Sequence, residues 1–176
     1  MRIPAPGQRP AGAEAAGEGD CLQAHFRDRT FRLPLRVYYE DTDAAGIVHH
    51  ARYLAFLERA RSEMLWALGL DDWGEPGEGG QVVRFAIAKA EMAFRRPARL
   101  FDRLWVETQI RHIGAASMDA AQVVLRGDQP LVYARIKAAS VDEAGRPRRL
   151  PAHWRRVLAP LVVPATAGDA LDLSAL

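Results

Sequence analysis

The chain contains 176 residues, with 24 basic and 22 acidic side chains and a formal net charge of +2. Apolar residues make up 49% and charged residues 26%, which argues against a fully disordered chain and fits one globular domain. The single cysteine, Cys21, excludes an internal disulfide. No apolar run approaches the roughly 20 residues of a membrane-spanning helix, and the first residues lack the apolar core of a signal peptide. We therefore expect a cytoplasmic protein without a membrane span.

The two ends of the chain differ in composition from its middle. Ala, Gly and Pro dominate residues 1–20, and such a segment buries too little apolar surface to offset the entropy lost on ordering. Pro160 and Pro164 interrupt the other end. We predict a mobile N-terminal tail over 1–30, a folded domain over 31–158 and a loosely held C-terminal tail over 159–176.

The apolar periodicity predicts one long helix. From about His50 to Gly69 apolar residues recur at intervals of three and four, which is typical of an amphipathic helix, and Gly69 is suited to its C-terminal end. Polar residues are expected to fill the opposite side: Arg52, Glu58, Arg59, Arg61 and Ser62.

Strands are predicted on both sides of this helix, one before it and four after it. Short turns between the last three indicate an antiparallel meander. The order of elements predicts an α+β fold in which a five-stranded, mainly antiparallel sheet wraps the long central helix. The predicted strands are 31–39, 81–94, 104–110, 118–126 and 131–141.

The densest cluster of polar residues lies between the first strand and the helix. Glu40, Asp41 and Asp43 precede the helix, and His49 and His50 stand at its start. The unpaired N–H groups and the dipole of a helix N-terminus can stabilise an oxyanion. A carboxylate in the same loop can attack an acyl carbonyl or activate water towards it.

These residues also have ordinary structural explanations. Asp43 can be simply a helix cap with no catalytic role. Glu40 and Asp41 can form a solvent-exposed edge of the loop. Adjacent histidines are expected to point in different directions, so His49 and His50 are not expected to serve one site. The other histidines show no zinc-binding spacing, and no phosphate-binding loop or nucleic-acid module is present. The sequence thus predicts no metal, no cofactor and no nucleic-acid partner.

One segment closely resembles a known family signature. VYYEDTDAAGIVHHARYLAFLERARSEML, residues 37–65, is similar to the signature of hotdog-fold acyl-CoA thioesterases, most of all to the YbgC-like branch related to 4-hydroxybenzoyl-CoA thioesterase. A second stretch, residues 89–108, resembles the family's second strand and the turn after it. The resemblance spans about residues 34–156, and it implies a hotdog fold and hydrolysis of an acyl-CoA thioester.

The resemblance also implies roles for individual residues. Asp43 aligns with the family's catalytic aspartate, as nucleophile or general base, and His50 with the position whose N–H contributes to the oxyanion hole. Tyr39 and Gly46 are expected to shape the loop. Substrate contacts are expected from Ile47, Val48 and His49. His49 stands where this branch usually carries an aromatic residue. Glu58, Arg59 and Arg61 match the helix motif, and we expect them to form surface salt bridges.

Similarity to this family further implies a polyanionic CoA nucleotide on a basic surface and active sites between the subunits of a homodimer or homotetramer. The charge distribution agrees, because residues 31–80 carry five basic and nine acidic groups, whereas residues 81–158 carry fifteen and seven. The candidate phosphate contacts are Lys89, Arg95, Arg96, Arg103 and Lys137.

Two other functions stay open. A non-hydrolytic hotdog hydratase or dehydratase would use a histidine near the start of the helix, which His49 and His50 could supply. Alternatively, the fold could bind acyl groups without turnover, as a protein linked to the Tol–Pal envelope system. An acyl carrier protein thioester is a further alternative to acyl-CoA as substrate.

Overall fold

The computed structural model describes residues 23–70 and 84–164, which form one antiparallel sheet and two α-helices. The residues 1–22 and 165–176 of the predicted tails lie outside the described residues. The elements are β1 (His25–Arg27), β2 (Thr30–Arg36), α1 (His50–Ala67), β3 (Arg84–Phe94), β4 (Arg103–Ile113), β5 (Ser117–Arg126), β6 (Gln129–Val141) and α2 (Ala152–Leu158), with short 3₁₀ turns at Tyr39–Asp41 and Ala159–Leu161.

The six strands lie in the order β1-β2-β4-β5-β6-β3, and every neighbouring pair is antiparallel. Helix α1 packs mainly against β2, β4 and β5. Strand β3 lies at one edge of the sheet, two positions beyond β5. The register shifts once in each of three strand pairs: between Ile87 and Lys89 in β3–β6, between Ile110 and His112 in β4–β5, and between Val124 and Leu125 in β5–β6. Bulges of this kind increase local twist and bending, which helps the sheet curve around α1. The predicted α+β architecture is confirmed.

Helix α1 ends as its sequence predicts. Gly69 adopts φ +68°, its N–H donates to Trp66 O, and the N–H of Leu70 donates to Leu65 O. This pair of hydrogen bonds is a Schellman motif, which satisfies carbonyl groups left without partners at the end of a helix. Leu70 is buried and therefore anchors the chain directly after the helix.

The strand count is one higher than predicted, and the ordered domain begins earlier. Residues 25–27 form β1 and pair with β2 through a two-residue turn at Asp28 and Arg29, so the predicted tail boundary at residue 30 is wrong for this part of the chain. The strand His-Phe-Arg is too short for its alternation to be recognised. The rings of Phe26 and Phe31, with centroids 5.0 Å apart, pack together and hold β1 against the rest of the sheet.

The predicted C-terminal boundary at residue 158 also falls too early. Helix α2 buries Trp154 and Leu158 completely. The chain after it stays attached to the sheet, because Val163 N–H donates to Ile110 O and Arg29 donates to Val162 O. The described part of the predicted tail, 159–164, is therefore part of the fold.

Arg61 is the clearest departure from the predicted polar side of α1. Its side chain lies on the apolar face and is buried between the helix and the sheet, whereas Glu58, Arg59 and Ser62 are exposed as expected. Among the described residues, no helix is both long and apolar enough to cross a bilayer.

Phe101, in the turn between β3 and β4, is held in the left-handed region at φ +67°. Its N–H donates to Val37 O, and its half-exposed ring contacts Tyr39 edge to face at 5.6 Å. A side chain with a Cβ is strained in this conformation, which glycine adopts readily.

We predict that Phe101→Gly is more stable than Phe101→Ala by about 1 kcal/mol, because both variants lose the ring but only glycine relieves the backbone strain. Chemical denaturation of the two variants measures this difference. Equal stabilities would show that the turn stores no strain.

Candidate active site

The loop between β2 and α1 is organised around the buried carboxylate of Asp41. Asp41 Oδ2 accepts the N–H of Tyr38 at 2.8 Å, and Asp41 Oδ1 accepts Nε and Nη2 of Arg52 at 2.8 and 2.7 Å. The backbone carbonyl of Asp41 accepts the N–H of His49 at 2.9 Å. Asp41 therefore joins both ends of the loop to the first turn of α1, and it is not the solvated edge that the sequence suggested.

A second clamp comes from Ala98, in the segment between β3 and β4. Its carbonyl accepts the N–H of Val48 at 2.9 Å, and its N–H donates to the hydroxyl of Tyr53 on α1 at 2.8 Å. Burial raises the pKa of Tyr53, so this hydroxyl stays protonated at neutral pH. The loop is thus fixed between the helix and the β3–β4 segment.

Asp43 differs from the other two carboxylates of the loop. Its Oδ1 accepts the N–H of Ala45 at 2.8 Å, and no hydrogen-bond partner for Oδ2 is found among residues 23–70 and 84–164. Asp41 is buried in its ion pair, and the exposed Glu40 lies 3.4 Å from Arg52 Nη2. Asp43 is half-buried and keeps one oxygen without a partner among the described residues, whereas Glu40, whose Oε2 also has none, is exposed to solvent.

The tight loop that holds Asp43 has its own backbone requirements. Asp43 N–H donates to Ile47 O, and Gly46 N–H donates to Asp43 O, both at 3.0 Å. Gly46 adopts φ +72°, and a Cβ at this position would meet no atom within 4 Å. The glycine is therefore required by backbone conformation and not by lack of space.

The start of α1 offers fewer free N–H groups than the sequence suggested. Val48 and His49 donate theirs to Ala98 O and Asp41 O, and Ala51 N–H reaches His49 Nδ1 at 3.3 Å. The N–H of His50, the first helical residue, has no acceptor among the described residues. It is the amide best placed to donate to a bound oxyanion.

The expectation that His49 and His50 point in different directions is wrong. Their rings lie against each other with centroids 4.2 Å apart. His49 is the residue that caps the helix and has extended backbone angles, φ −61° and ψ 135°, so the helical angle between successive side chains does not apply. Both exposed rings therefore lie at one end of α1.

The other predicted site residues lie in the loop, beside it, or in the segment between β3 and β4. Ile47 and Val48 lie in the clamped loop, where Ile47 forms a β-bridge with Arg99. Tyr39 is exposed, and its ring contacts Phe101. Side chains of Arg95 and Arg96 are exposed just before Ala98, and their N–H groups are held by Leu131 O.

Lys89 lies well away from these arginines. At about 3.3 Å per residue, six residues of β3 separate it from Arg95 by roughly 20 Å. It forms an ion pair with Glu91 at 2.8 Å, which lowers the pKa of Glu91. Lys137, on the adjacent strand β6, pairs directly with Lys89. Arg95 and Arg96 thus lie three and two residues before Ala98, which contacts the loop, whereas Lys89 lies nine residues before it.

Sequence reasoning missed the residues that support the site. Residue type alone gives no sign of this role, because the sequence shows only a surface arginine, a core aromatic residue and a small residue at Arg52, Tyr53 and Ala98. The one usable signal was the spacing of Asp41 and Arg52 across a helix start. Within the described parts of the chain, no group of three or more His, Cys, Asp or Glu side chains could hold a metal ion.

We predict that Asp41→Asn lowers the free energy of unfolding by about 2–4 kcal/mol, because it leaves the half-buried Arg52 without its carboxylate partner. Thermal and urea denaturation measure this loss. Glu40→Gln is the matched control, since an exposed ion pair contributes about 0–1 kcal/mol. An Asp41→Asn protein as stable as the control would contradict the role of Asp41.

Both the sequence and the fold of this chain match known proteins. The family model of the thioesterase superfamily matches residues 45–133. The protein named acyl-CoA thioester hydrolase YbgC from Escherichia coli O6:H1 is 38% identical over 123 residues, covering 69% of this chain and 90% of that protein. Acyl-CoA thioesterase YbgC from Haemophilus influenzae is 40% identical over 115 residues, covering 65% and 83%.

Solved structures agree with these matches. A probable thioesterase from Bartonella henselae has a TM-score of 0.66 and 37% identity, covering 73% of this chain and all of that one. A 1,4-dihydroxy-2-naphthoyl-CoA thioesterase from Synechocystis has a TM-score of 0.66 at 23% identity, covering 74% and 96%, and shows the shared fold. The predicted hotdog fold is thereby confirmed, with a sixth strand. The matched family model, and a relative that is 38% identical and matched over 90% of its length, show that this chain belongs to the thioesterase superfamily.

Proposed function

We propose that this protein is an acyl-CoA thioesterase, which hydrolyses an acyl or aroyl thioester to the free acid and CoA. The observation that carries the proposal is the position of Asp43: its carboxylate has a free oxygen, in a clamped loop that leads into the N-terminus of α1. The names of the YbgC relatives, with 38–40% identity, support the same activity.

Asp43 acts either as general base or as nucleophile. As a base it removes a proton from water, the water oxygen bonds to the carbonyl carbon, and the C–S bond breaks. The sulfur then leaves as a thiolate that takes up the proton. As a nucleophile, Asp43 bonds to the carbonyl carbon and displaces the CoA thiolate, which gives a mixed anhydride. Water then hydrolyses the anhydride, releasing the free acid and restoring the carboxylate of Asp43. Both routes use the free Oδ2 and consume one water molecule.

The N–H of His50 stabilises the negative charge that develops on the thioester oxygen. It is the first amide of an 18-residue helix, where the helix dipole favours an anion. Since the donor is fixed by the His49 cap and the Asp41 carbonyl before substrate binds, it needs little reorganisation during the reaction.

Arg95 and Arg96 are proposed to bind the CoA phosphates, because their side chains are exposed and they precede, by three and two residues, Ala98, which is hydrogen-bonded to the loop that carries Asp43. Arg99, which the sequence did not single out, joins them through its bridge to Ile47. Guanidinium groups bind phosphate oxygens in a bidentate manner. Lys89 stays a weaker candidate for this role, since Glu91 already neutralises it.

We predict that Asp43→Asn lowers kcat by at least roughly 100-fold on acyl-CoA substrates, while the melting temperature stays close to that of the unchanged protein. Asparagine retains the oxygen that accepts the Ala45 N–H, so the loop is preserved and the ionised group alone is lost. Release of the CoA thiol, followed with a thiol reagent over a panel of acyl-CoAs, measures the effect.

Glu40→Gln serves as the matched control, because it removes an exposed carboxylate three residues earlier in the same loop. We expect it to retain activity. Full activity in Asp43→Asn would overturn the role of Asp43. A parallel series with acyl carrier protein thioesters determines which carrier is preferred.

The edge strand β3 is proposed to pair with β3 of a second copy, giving a homodimer that can pair again into a tetramer. Its residues 86–90 are exposed, and an unpaired edge of 11 residues with Ile87 half-exposed is a ready surface for pairing. The opposite charges of Lys89 and Glu91 suit antiparallel pairing of two copies. A CoA substrate is consistent with a cytoplasmic location for this assembly.

We predict a mass of two or four times 19.5 kDa in sedimentation experiments. Lys89→Glu should weaken the dimer by roughly ten-fold, because it places like charges along the paired edge. Lys137→Glu is the matched control, since Lys137 neighbours Lys89 on β6 but lies off the edge. A monomer at all concentrations, or equal weakening in both variants, would contradict pairing through β3.

A further inference from the structure

Two exposed aromatic side chains lie together at the turn between β3 and β4, beside the loop that carries Asp43. The rings of Tyr39 and Phe101 make an edge-to-face contact, with centroids 5.6 Å apart and planes at 85°. Tyr39 is 72% exposed and Phe101 is 49% exposed, and neither belongs to an apolar core cluster of the described residues. An edge-to-face contact covers at most one face of either ring. The pair therefore presents flat apolar surface to the solvent.

The backbone of Phe101 indicates that its ring is not kept for the stability of the turn. Phe101 has φ +67°, a conformation that glycine adopts without strain, and its N–H donates to Val37 O at 3.0 Å whatever the side chain is. With the described residues its ring makes a single ring contact, to Tyr39, which is itself exposed. Strained residues of this kind cluster at ligand-binding sites. The exposed ring is best explained by a ligand that it contacts.

Three exposed arginines in this region carry charges that the described residues leave unpaired. Arg99 and Arg103 lie two residues before and two residues after Phe101. On the neighbouring strand, Arg36 is the direct partner of Arg103. The guanidinium groups of all three make no ion pair or hydrogen bond with a residue in 23–70 or 84–164. An anionic ligand would supply the missing partners.

Asp102, which lies between Phe101 and Arg103 in the chain, does not neutralise these arginines. Its Oδ2 accepts Arg126 Nη1 and the backbone N–H of Arg99, both at 2.8 Å. The aromatic pair and the three cations together form a surface that we call the Tyr39–Phe101 surface, defined by Tyr39, Phe101, Arg36, Arg99 and Arg103. Aromatic faces stack nucleobases, and guanidinium groups bind phosphate oxygens in a bidentate manner. The combination therefore suits a nucleotide.

We propose that the Tyr39–Phe101 surface binds the nucleotide end of CoA, with the adenine stacked on Phe101 and the ribose 3′-phosphate held by Arg36 and Arg103. The inference rests on the proposed thioesterase function, and it assigns the part of the substrate that is remote from the thioester. Charge complementarity supports this occupant, because the 3′-phosphate brings an anion to two arginines that have no other partner in the described chain.

The Tyr39–Phe101 surface is connected to the reactive loop from both sides. Tyr39 lies four residues before Asp43, and its carbonyl accepts the hydroxyl of Thr42 at 3.0 Å. Phe101 lies three residues after Ala98, whose carbonyl accepts an N–H of the loop. Because adenine and thioester are at opposite ends of CoA, loss of the stack should weaken binding without changing the chemical step.

Phe101→Gly tests the stack, because it removes the ring and suits the backbone of the turn. For the acyl-CoA that the unchanged protein hydrolyses fastest, we expect KM to rise by at least roughly five-fold, with kcat within about two-fold. The matching acyl-pantetheine has the same thioester without the nucleotide, and both proteins should hydrolyse it equally. Phe101→Tyr keeps an aromatic ring and should retain the original KM.

Trp66→Ala is the matched control, because it removes another exposed aromatic ring near the opposite end of α1. It should leave the KM of both esters unchanged. Arg36→Gln tests the 3′-phosphate separately: KM should rise for the acyl-CoA but not for the acyl ester of dephospho-CoA, which lacks this phosphate. Melting curves of the four variants establish which proteins are folded.

Equal losses on acyl-CoA and acyl-pantetheine in folded Phe101→Gly would show that the ring supports the loop, and would overturn the proposal. An unchanged KM for acyl-CoA in that variant would overturn it as well. If the unchanged protein hydrolyses neither ester, the thioesterase proposal fails, and calorimetry with CoA itself decides the role of the surface. Weaker CoA binding by Phe101→Gly would then support the proposal. Equal binding by both proteins, or tighter binding of ATP than of CoA, would contradict it.

Discussion

The carboxylate of Asp41 accepts the N–H of Tyr38 and two nitrogens of Arg52, and its backbone carbonyl accepts the N–H of His49. These contacts join the end of β2 to the first turn of α1 across a loop of polar residues, and the Ala98 contacts hold the same loop from the β3–β4 segment. Because the ion pair is largely removed from water, losing one partner would leave the other charge poorly solvated. The direction in which α1 leaves the sheet, and with it the position of Asp43, depends on this one buried group.

The three carboxylates of the loop illustrate how environment separates similar residues. Glu40 is exposed and only loosely paired, Asp41 is buried and saturated with donors, and Asp43 is half-buried with one oxygen engaged. A carboxylate that already accepts several hydrogen bonds has little capacity to act on a substrate. In the proposed mechanism the reacting carboxylate is therefore Asp43, which the loop positions without occupying both of its oxygens, and the Ala98 contacts hold that loop in place.

Much of the fold could be predicted from the sequence, because periodicity reports which face of an element is buried. It located α1 and its end at Gly69, and the hydrophobic strands of the sheet. It failed for His25–Arg27 and for residues 159–164, where contacts with Phe31, Ile110 and Arg29 supply the order that local composition does not. It also misplaced Asp41 and Arg61, since charged residues are normally exposed and only tertiary contacts with Arg52 and Gln122 make these two exceptions. The stacked rings of His49 and His50 required knowledge of the cap geometry.

Helix α1 is fixed at both ends, by the His49 cap and the Asp41 contacts at one end and by the Schellman motif and buried Leu70 at the other. The helix cannot shift along its axis or unwind at either end without losing these contacts. Since the first turn of α1 carries the N–H of His50, the contacts at both ends of the helix hold this donor at a constant distance from the loop that contains Asp43. A change that loosens the Gly69 end therefore acts on that loop from about 27 Å away, through the helix alone.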